Sequence, residues 1–207
     1  MTSSASGRFP GFDVLSEVPH WDAATADVVT SRIGPFPDRQ FFTDTEQACA
    51  AALLDQLTGQ CDEPLGVPVL EMVDARLAAG ETDGWHYADM PEDGQAWRDT
   101  LSYLDDDAFG RCGTTFAGAS AVDQMALLQA VQDLGSAEWH GLPASHVWSL
   151  WTRYACTAFY SHPSAWSEIG FPGPAYPRGY KNAGVGKLEP FEVRDAQPSD
   201  DPVREGP

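Results

Sequence analysis

The sequence predicts a mainly α-helical protein, a compact irregular bundle of about six helices with a long C-terminal segment rich in Pro and Gly. Two observations carry this prediction. Apolar side chains recur at helical spacing along the chain, and the alternating β-branched runs that are typical of strands do not occur. The length of 207 residues suits one domain. We expect an irregular arm over 1–18, a single helical domain over 19–188 and an acidic, disordered tail over 189–207.

Signals for helix starts place the first two helices. The first is expected over 21–33, with Asp22 as its N-cap. Thr43 and Glu46 fit a capping box, in which the N-cap hydroxyl and a carboxylate three residues later each accept a backbone N–H. The helix that begins there should end at Gly59, because glycine readily adopts the left-handed conformation that closes a helix.

The other helices are predicted from apolar stripes. Their markers are Leu70, Val73 and Leu77 for the third, Trp97, Leu101 and Leu104 for the fourth, Met125, Leu128 and Val131 for the fifth, and 143–160 for the largest. A strand over 67–73 is the alternative to the third helix. The Gly-rich stretch 105–119 is expected to be a loop, and Ser120 to cap the helix after it. Cys49 and Cys156 lie among apolar residues, so we expect both to be buried.

Composition restricts the class of partner and the location. With 31 acidic and 12 basic residues, the formal charge is −19. So negative a chain repels phosphates, which argues against nucleic acid and anionic membranes as partners. No stretch approaches the roughly 18 apolar residues of a membrane span. The first residues show neither the apolar core of a signal peptide nor paired arginines, so we expect a cytoplasmic location, with a periplasmic one by co-export as the alternative.

Motifs for chemistry do not emerge from the sequence. Gly184-Val185-Gly186 lacks the third glycine and the flanking strand and helix of a dinucleotide-binding loop. No G-x-S-x-G and no C-x-x-C occurs. We therefore expect no catalytic, cofactor-binding or metal-ligating residues in this chain. The alternatives are a stand-alone metal-assisted enzyme, with His140, His146 and His162 converging around the largest helix, and a free binding module.

The most informative run is 166–180, WSEIGFPGPAYPRGY. Its prolines and glycines exclude a helix or a central strand, yet its aromatic residues are unlike those of an inert linker. Preceded by Thr157-Ala158-Phe159-Tyr160-Ser161-His162-Pro163, the run resembles the end of the gluconate 2-dehydrogenase subunit 3 family. The order of the other elements agrees over roughly 20–182. Those elements are Phe41-Phe42-Thr43, Val67-Pro68, and Trp97, Leu101 and Leu104-Asp105 followed by 113–116.

The resemblance implies a non-catalytic small subunit. Members of the family accompany a large FAD-dependent dehydrogenase of the glucose-methanol-choline (GMC) type that acts on sugars or polyols, often with a cytochrome. They help the large subunit to mature, remain stable and leave the cell folded, and the FAD belongs to that partner. Export in this family depends on a twin-arginine signal on the small subunit. This sequence shows none, which favours an intracellular stabilising role.

The aromatic run also supplies the predicted partner-binding residues. We expect Trp166, Phe171, Tyr176, Arg178 and Tyr180 to include the main anchors, because Trp, Tyr and Arg are enriched in binding hot spots. Arg178, between a proline and a glycine, is expected to point outward towards a partner's carboxylate. The alternative is that the run packs back over the chain's own helices.

Overall fold

The computed structural model describes residues 8–61, 65–182 and 184–199. These residues are mainly helical and contain one two-stranded hairpin, which confirms the predicted fold class. The α-helices are α1 (Ala23–Ser31), α2 (Asp44–Thr58), α3 (Val69–Ala78), α4 (Asp93–Cys112), α5 (Ala121–Asp133), α6 (Ala144–Ser161) and α7 (Pro163–Glu168). A 3₁₀ helix spans Val14–His20, and strands β1 (Glu138–Trp139) and β2 (Leu142–Pro143) pair antiparallel. Over the described ranges, every helix is too short or too polar to cross a membrane.

The predicted helix starts are confirmed. The Thr43 hydroxyl accepts the Glu46 N–H at 3.4 Å, and the Glu46 carboxylate accepts the Thr43 N–H at 2.8 Å, which completes the capping box of α2. The Asp22 carboxylate accepts the Thr25 N–H and the Ser120 hydroxyl accepts the Asp123 N–H, so these residues cap α1 and α5. Gly59 ends α2 with φ +69°, a conformation that costs glycine little.

The described chain divides into two units. The central unit, Phe36–Phe159, holds α2 to α5, the hairpin and all but the last residues of α6. Helix α2 packs against α3, α4 and α5. The largest side chains of its core, all almost fully buried, are Trp97, Trp151, Tyr154, Phe116, Leu53, Leu54, Leu101 and Leu104.

Several buried polar groups of the central unit join its helices through hydrogen bonds. The Trp151 indole N–H donates to the Thr100 hydroxyl at 3.0 Å, which joins α6 to α4. Asp93, in the first turn of α4, accepts a hydrogen bond from the Tyr154 hydroxyl at 2.8 Å and forms an ion pair with Arg153. Burial and this carboxylate raise the pKa of Tyr154. The phenol is therefore a structural donor, since an isolated buried hydroxyl would cost stability.

The terminal unit comprises the described residues of Met1–Pro35 and Tyr160–Pro207. Val14, Trp21, Val29 and Trp166 form its apolar core, and the 3₁₀ helix packs against α7. The backbone of the Pro/Gly run approaches this core closely. A Cβ on Gly173 would lie 2.4 Å from the Trp21 ring, so that only glycine fits there.

Three expectations about the central unit are wrong. The stretch 105–119 is not all loop, because α4 continues to Cys112. Met125 is exposed, because the buried side of α5 is formed by Gln124, Leu127, Leu128 and Val131. Cys156 is exposed on α6, while Cys49 is buried as expected.

The terminal unit is more regular than predicted. The arm 1–18 includes most of the 3₁₀ helix, and α7 takes up the start of the run 166–180 that was expected to contain no helix. Pro163 favours α7 because it stands at the first helical position, where its missing N–H costs nothing. Residues 1–7 of the arm and 200–207 of the acidic tail lie outside the described residues.

Candidate partner-binding site

The five predicted anchors all lie in the terminal unit, but their environments differ. Trp166 belongs to the core and is only 6% exposed. Its indole N–H donates to the Tyr160 carbonyl at 2.6 Å, and its ring meets Phe171 edge to face at 5.2 Å. The Arg32 guanidinium lies 5.6 Å from the same ring. Trp166 therefore attaches the aromatic run 166–180 to the core of the terminal unit.

The other aromatic anchors are open to solvent. Tyr176 and Tyr180 are 64% and 63% exposed, and Phe171 is 38% exposed. Tyr160 and Ile169, which the sequence analysis did not single out, are also exposed. The segment thus exposes several large apolar side chains, while its backbone at Gly170 and Gly173 lies against the rings of Phe9 and Trp21.

Arg178 does not point freely outward as expected. Its Nη1 pairs with the Glu17 carboxylate, 161 residues away in the sequence. Its guanidinium carbon lies 3.9 Å from the centre of the Phe191 ring, a cation–π contact. Arg178 therefore joins the Pro/Gly run to the 3₁₀ helix and to the start of the acidic tail.

Glu189 organises the stretch that follows the aromatic run. Although only 5% exposed, its carboxylate accepts the backbone N–H groups of Lys181 and Asn182 and the Asn182 side-chain amide. These donors satisfy the buried charge. Further along, Arg8 pairs with Asp195, and this hydrogen bond lowers the pKa of Asp195. Parts of the predicted tail are thereby tied to the terminal unit.

The histidines of the alternative metal site have separate partners. His140 contacts the Asp107 carboxylate at 2.9 Å, and His146 contacts the Asp89 carboxylate at 2.9 Å. His162 is buried, which lowers its pKa, and its Nδ1 accepts the Ser164 N–H at the start of α7. Within the described ranges, no three His, Cys, Asp or Glu side chains form a group that could hold a metal ion.

The structure thus shows a mainly helical protein whose terminal unit exposes several aromatic side chains. The family model of gluconate 2-dehydrogenase subunit 3 matches residues 44–173, more than half of the chain. The chain belongs to the gluconate 2-dehydrogenase subunit 3 family, a name that assigns its members to a multi-subunit dehydrogenase. Searches of curated proteins and of solved structures find no match to it.

Proposed function

We propose that this chain is a non-catalytic small subunit that binds a large FAD-dependent dehydrogenase of the GMC type and stabilises it or helps it to mature. In this proposal the FAD and the sugar or polyol site belong to the large subunit, and a cytochrome can complete the complex. Membership of the family supports the dehydrogenase assignment. The surface of the terminal unit supports the binding role.

One observation carries the proposal. Although the terminal unit is the smaller of the two, it holds most of the large apolar side chains that are exposed among the described residues. These are Leu15, Val28, Ile33, Tyr160, Ile169, Phe171, Tyr176, Tyr180, Val185 and Leu188. So large a share of the exposed apolar side chains on the smaller unit supports a surface there that a partner covers.

We place the main contacts at Tyr176 and Tyr180. Both are mostly exposed, so replacing them should leave the core of the terminal unit intact. Gly173, three residues before Tyr176, packs on Trp21 and fixes the backbone before binding. A rigid backbone that displays aromatic rings loses little entropy on association.

The test begins with the tagged full chain, purified from cells that also make the large subunit. We expect a yellow complex with flavin absorbance. Tyr176→Ala combined with Tyr180→Ala should weaken binding at least about thirtyfold, since truncating a hot spot costs about 2 kcal/mol or more. Phe109→Ala is the matched control, because Phe109 is 55% exposed but belongs to the central unit.

Three outcomes contradict the proposal. One is a wild-type chain that retains no flavoprotein. The second is a double variant that binds as well as wild type. The third is a large subunit that has the same yield and flavin content whether or not it is made together with this chain.

A further inference from the structure

A cavity of about 510 Å³ opens in the terminal unit beside the aromatic run. The side chains that matter to its chemistry are Glu17, His20, Arg178, Lys181, Glu189 and Phe191. Tyr180 adjoins it, because its ring lies 6.0 Å from that of Phe191. The cavity is therefore continuous with the surface proposed above for binding a partner.

Arg178 lines this cavity, and part of its guanidinium group makes no hydrogen bond within the described residues. Glu17 engages Nη1 only. Nε and Nη2 are buried and have no hydrogen-bond partner among the described residues. On a guanidinium, the N–H groups of Nε and Nη2 point side by side, in the spacing of the two oxygens of one carboxylate. Buried donors without an acceptor destabilise the folded chain, so a bound group that accepts from both nitrogens would stabilise the site.

The acids around the cavity are already engaged. Glu189 accepts N–H groups from Lys181 and Asn182, and Glu17 accepts from Arg178. The groups that remain are donors and bases: the Nε and Nη2 of Arg178, the Lys181 ammonium and the His20 imidazole. An acceptor fits the Arg178 and Lys181 donors. A carboxylate with one negative charge is repelled less by Glu17 and Glu189 than a phosphate is.

The distribution of lysine supports the same conclusion. In a chain with a net charge of −19, the only two lysines are Lys181 and Lys187. Lys181 lines the cavity and is exposed, and it makes no ion pair within the described ranges. An uncompensated cation at this point attracts an acidic group on an approaching partner and fixes its orientation.

We propose that the cavity receives the carboxylate of one Asp or Glu side chain from the large dehydrogenase subunit. This inference rests on the proposed function and adds the chemistry of the contact. The carboxylate meets Lys181 at the mouth of the cavity. It reaches the Nε–Nη2 edge of Arg178 when a lining side chain such as Phe191 changes rotamer, since that edge is covered in the free chain.

The test uses the complex of the full-length chain and its large subunit, with Lys181→Glu compared with Lys187→Glu. The two variants change charge equally within the same segment, but Lys187 does not line the cavity. We expect Lys181→Glu to raise the Kd at least about tenfold and Lys187→Glu to raise it less than about threefold. If the thermal melt of Lys181→Glu falls by more than a few degrees, Lys181→Gln and Lys187→Gln replace the pair.

Carbodiimide cross-linking gives an independent measurement, because it joins an amine to a carboxylate without a spacer. We expect peptide mass spectrometry to find Lys181 linked to an Asp or Glu of the large subunit. Equal affinities for wild type and the Lys181 variants, or cross-links at Lys187 but not at Lys181, overturn this inference while the proposed function stands. A wild-type chain that binds no flavoprotein overturns both.

Discussion

Replacement of Asp74 tests how the entry to α2 is held. Asp74 lies on α3 and is only 2% exposed. Its Oδ2 accepts the Gln40 N–H at 2.8 Å, and its Oδ1 accepts the N–H groups of Phe41 and Phe42 at 3.1 and 2.9 Å. One carboxylate thus fixes three consecutive residues of the segment that leads to the capping box. In Asp74→Asn the shape is preserved, but one oxygen becomes an amide that donates.

The expected cost follows from these three bonds. With the new amide facing Gln40, one hydrogen bond to a charged group is lost, worth about 1.5–3 kcal/mol. The two bonds to the remaining oxygen become neutral and weaken by about 1 kcal/mol each. The free energy of unfolding should fall by about 3.5–5 kcal/mol, a large share of the usual 5–15 kcal/mol of a folded domain.

Urea unfolding followed by tryptophan fluorescence measures this loss. Asp106→Asn is the control, since it makes the same chemical change at an exposed position of α4. Hydrogen exchange gives the local result, and the amides of 40–42 should exchange much faster in Asp74→Asn. A loss within about 1 kcal/mol of the control, or unchanged exchange at 40–42, would refute the reasoning.

Two further predictions concern the terminal unit. Burial lowers the pKa of His162 below 6.5, so the unfolded chain binds a proton at this imidazole more readily than the folded chain does. The contribution of the neutral imidazole to stability should therefore be fully present above about pH 6.5 and decrease as the pH falls. His162→Asn keeps an acceptor for the Ser164 N–H without titrating, so thermal melts at pH 8 and 5.5 should differ less in the variant; equal differences would contradict this. Gly173→Ala should cost about 1–3 kcal/mol more in urea unfolding than Gly179→Ala. Both glycines have positive φ, but only at Gly173 would the Cβ meet a ring, that of Trp21, and equal losses would exclude this packing effect.

The sequence predicted the helices best where the signal is local. The capping box of Thr43 and Glu46 lies within one turn, and its atoms lie where the pattern implies. The length of α4 was not predictable in this way. Its C-terminal part lies in the Gly-rich stretch that was predicted as a loop. In the structure, Asp105 and Asp107 of this part accept hydrogen bonds from the Phe116 N–H and the Trp139 indole. A local sequence pattern does not indicate partners that lie so far away along the chain.

The candidate site shows the same division. Its aromatic residues and its irregular backbone were predictable from composition. The pairing of Arg178 with Glu17 was not, because 161 residues separate them. The cavity beside Arg178 could not be predicted from the sequence either. One signal was available, since both lysines of a strongly acidic chain fall within seven residues of each other.

The two interpretations of the aromatic run, packing on its own unit and binding a partner, prove compatible at the level of single residues. Trp166 and the backbone at Gly173 face the core of the terminal unit, whereas the rings of Tyr176 and Tyr180 face solvent. Substitutions at Trp166 or Gly173 should therefore lower stability, whereas substitutions at Tyr176 or Tyr180 should lower only the affinity for the partner. Arg178 belongs to both groups, since it joins Glu17 within the unit and offers an unused edge to a carboxylate. A change at Arg178 would therefore alter both quantities, which is why charge reversal at the exposed Lys181 is the cleaner test of the partner's carboxylate.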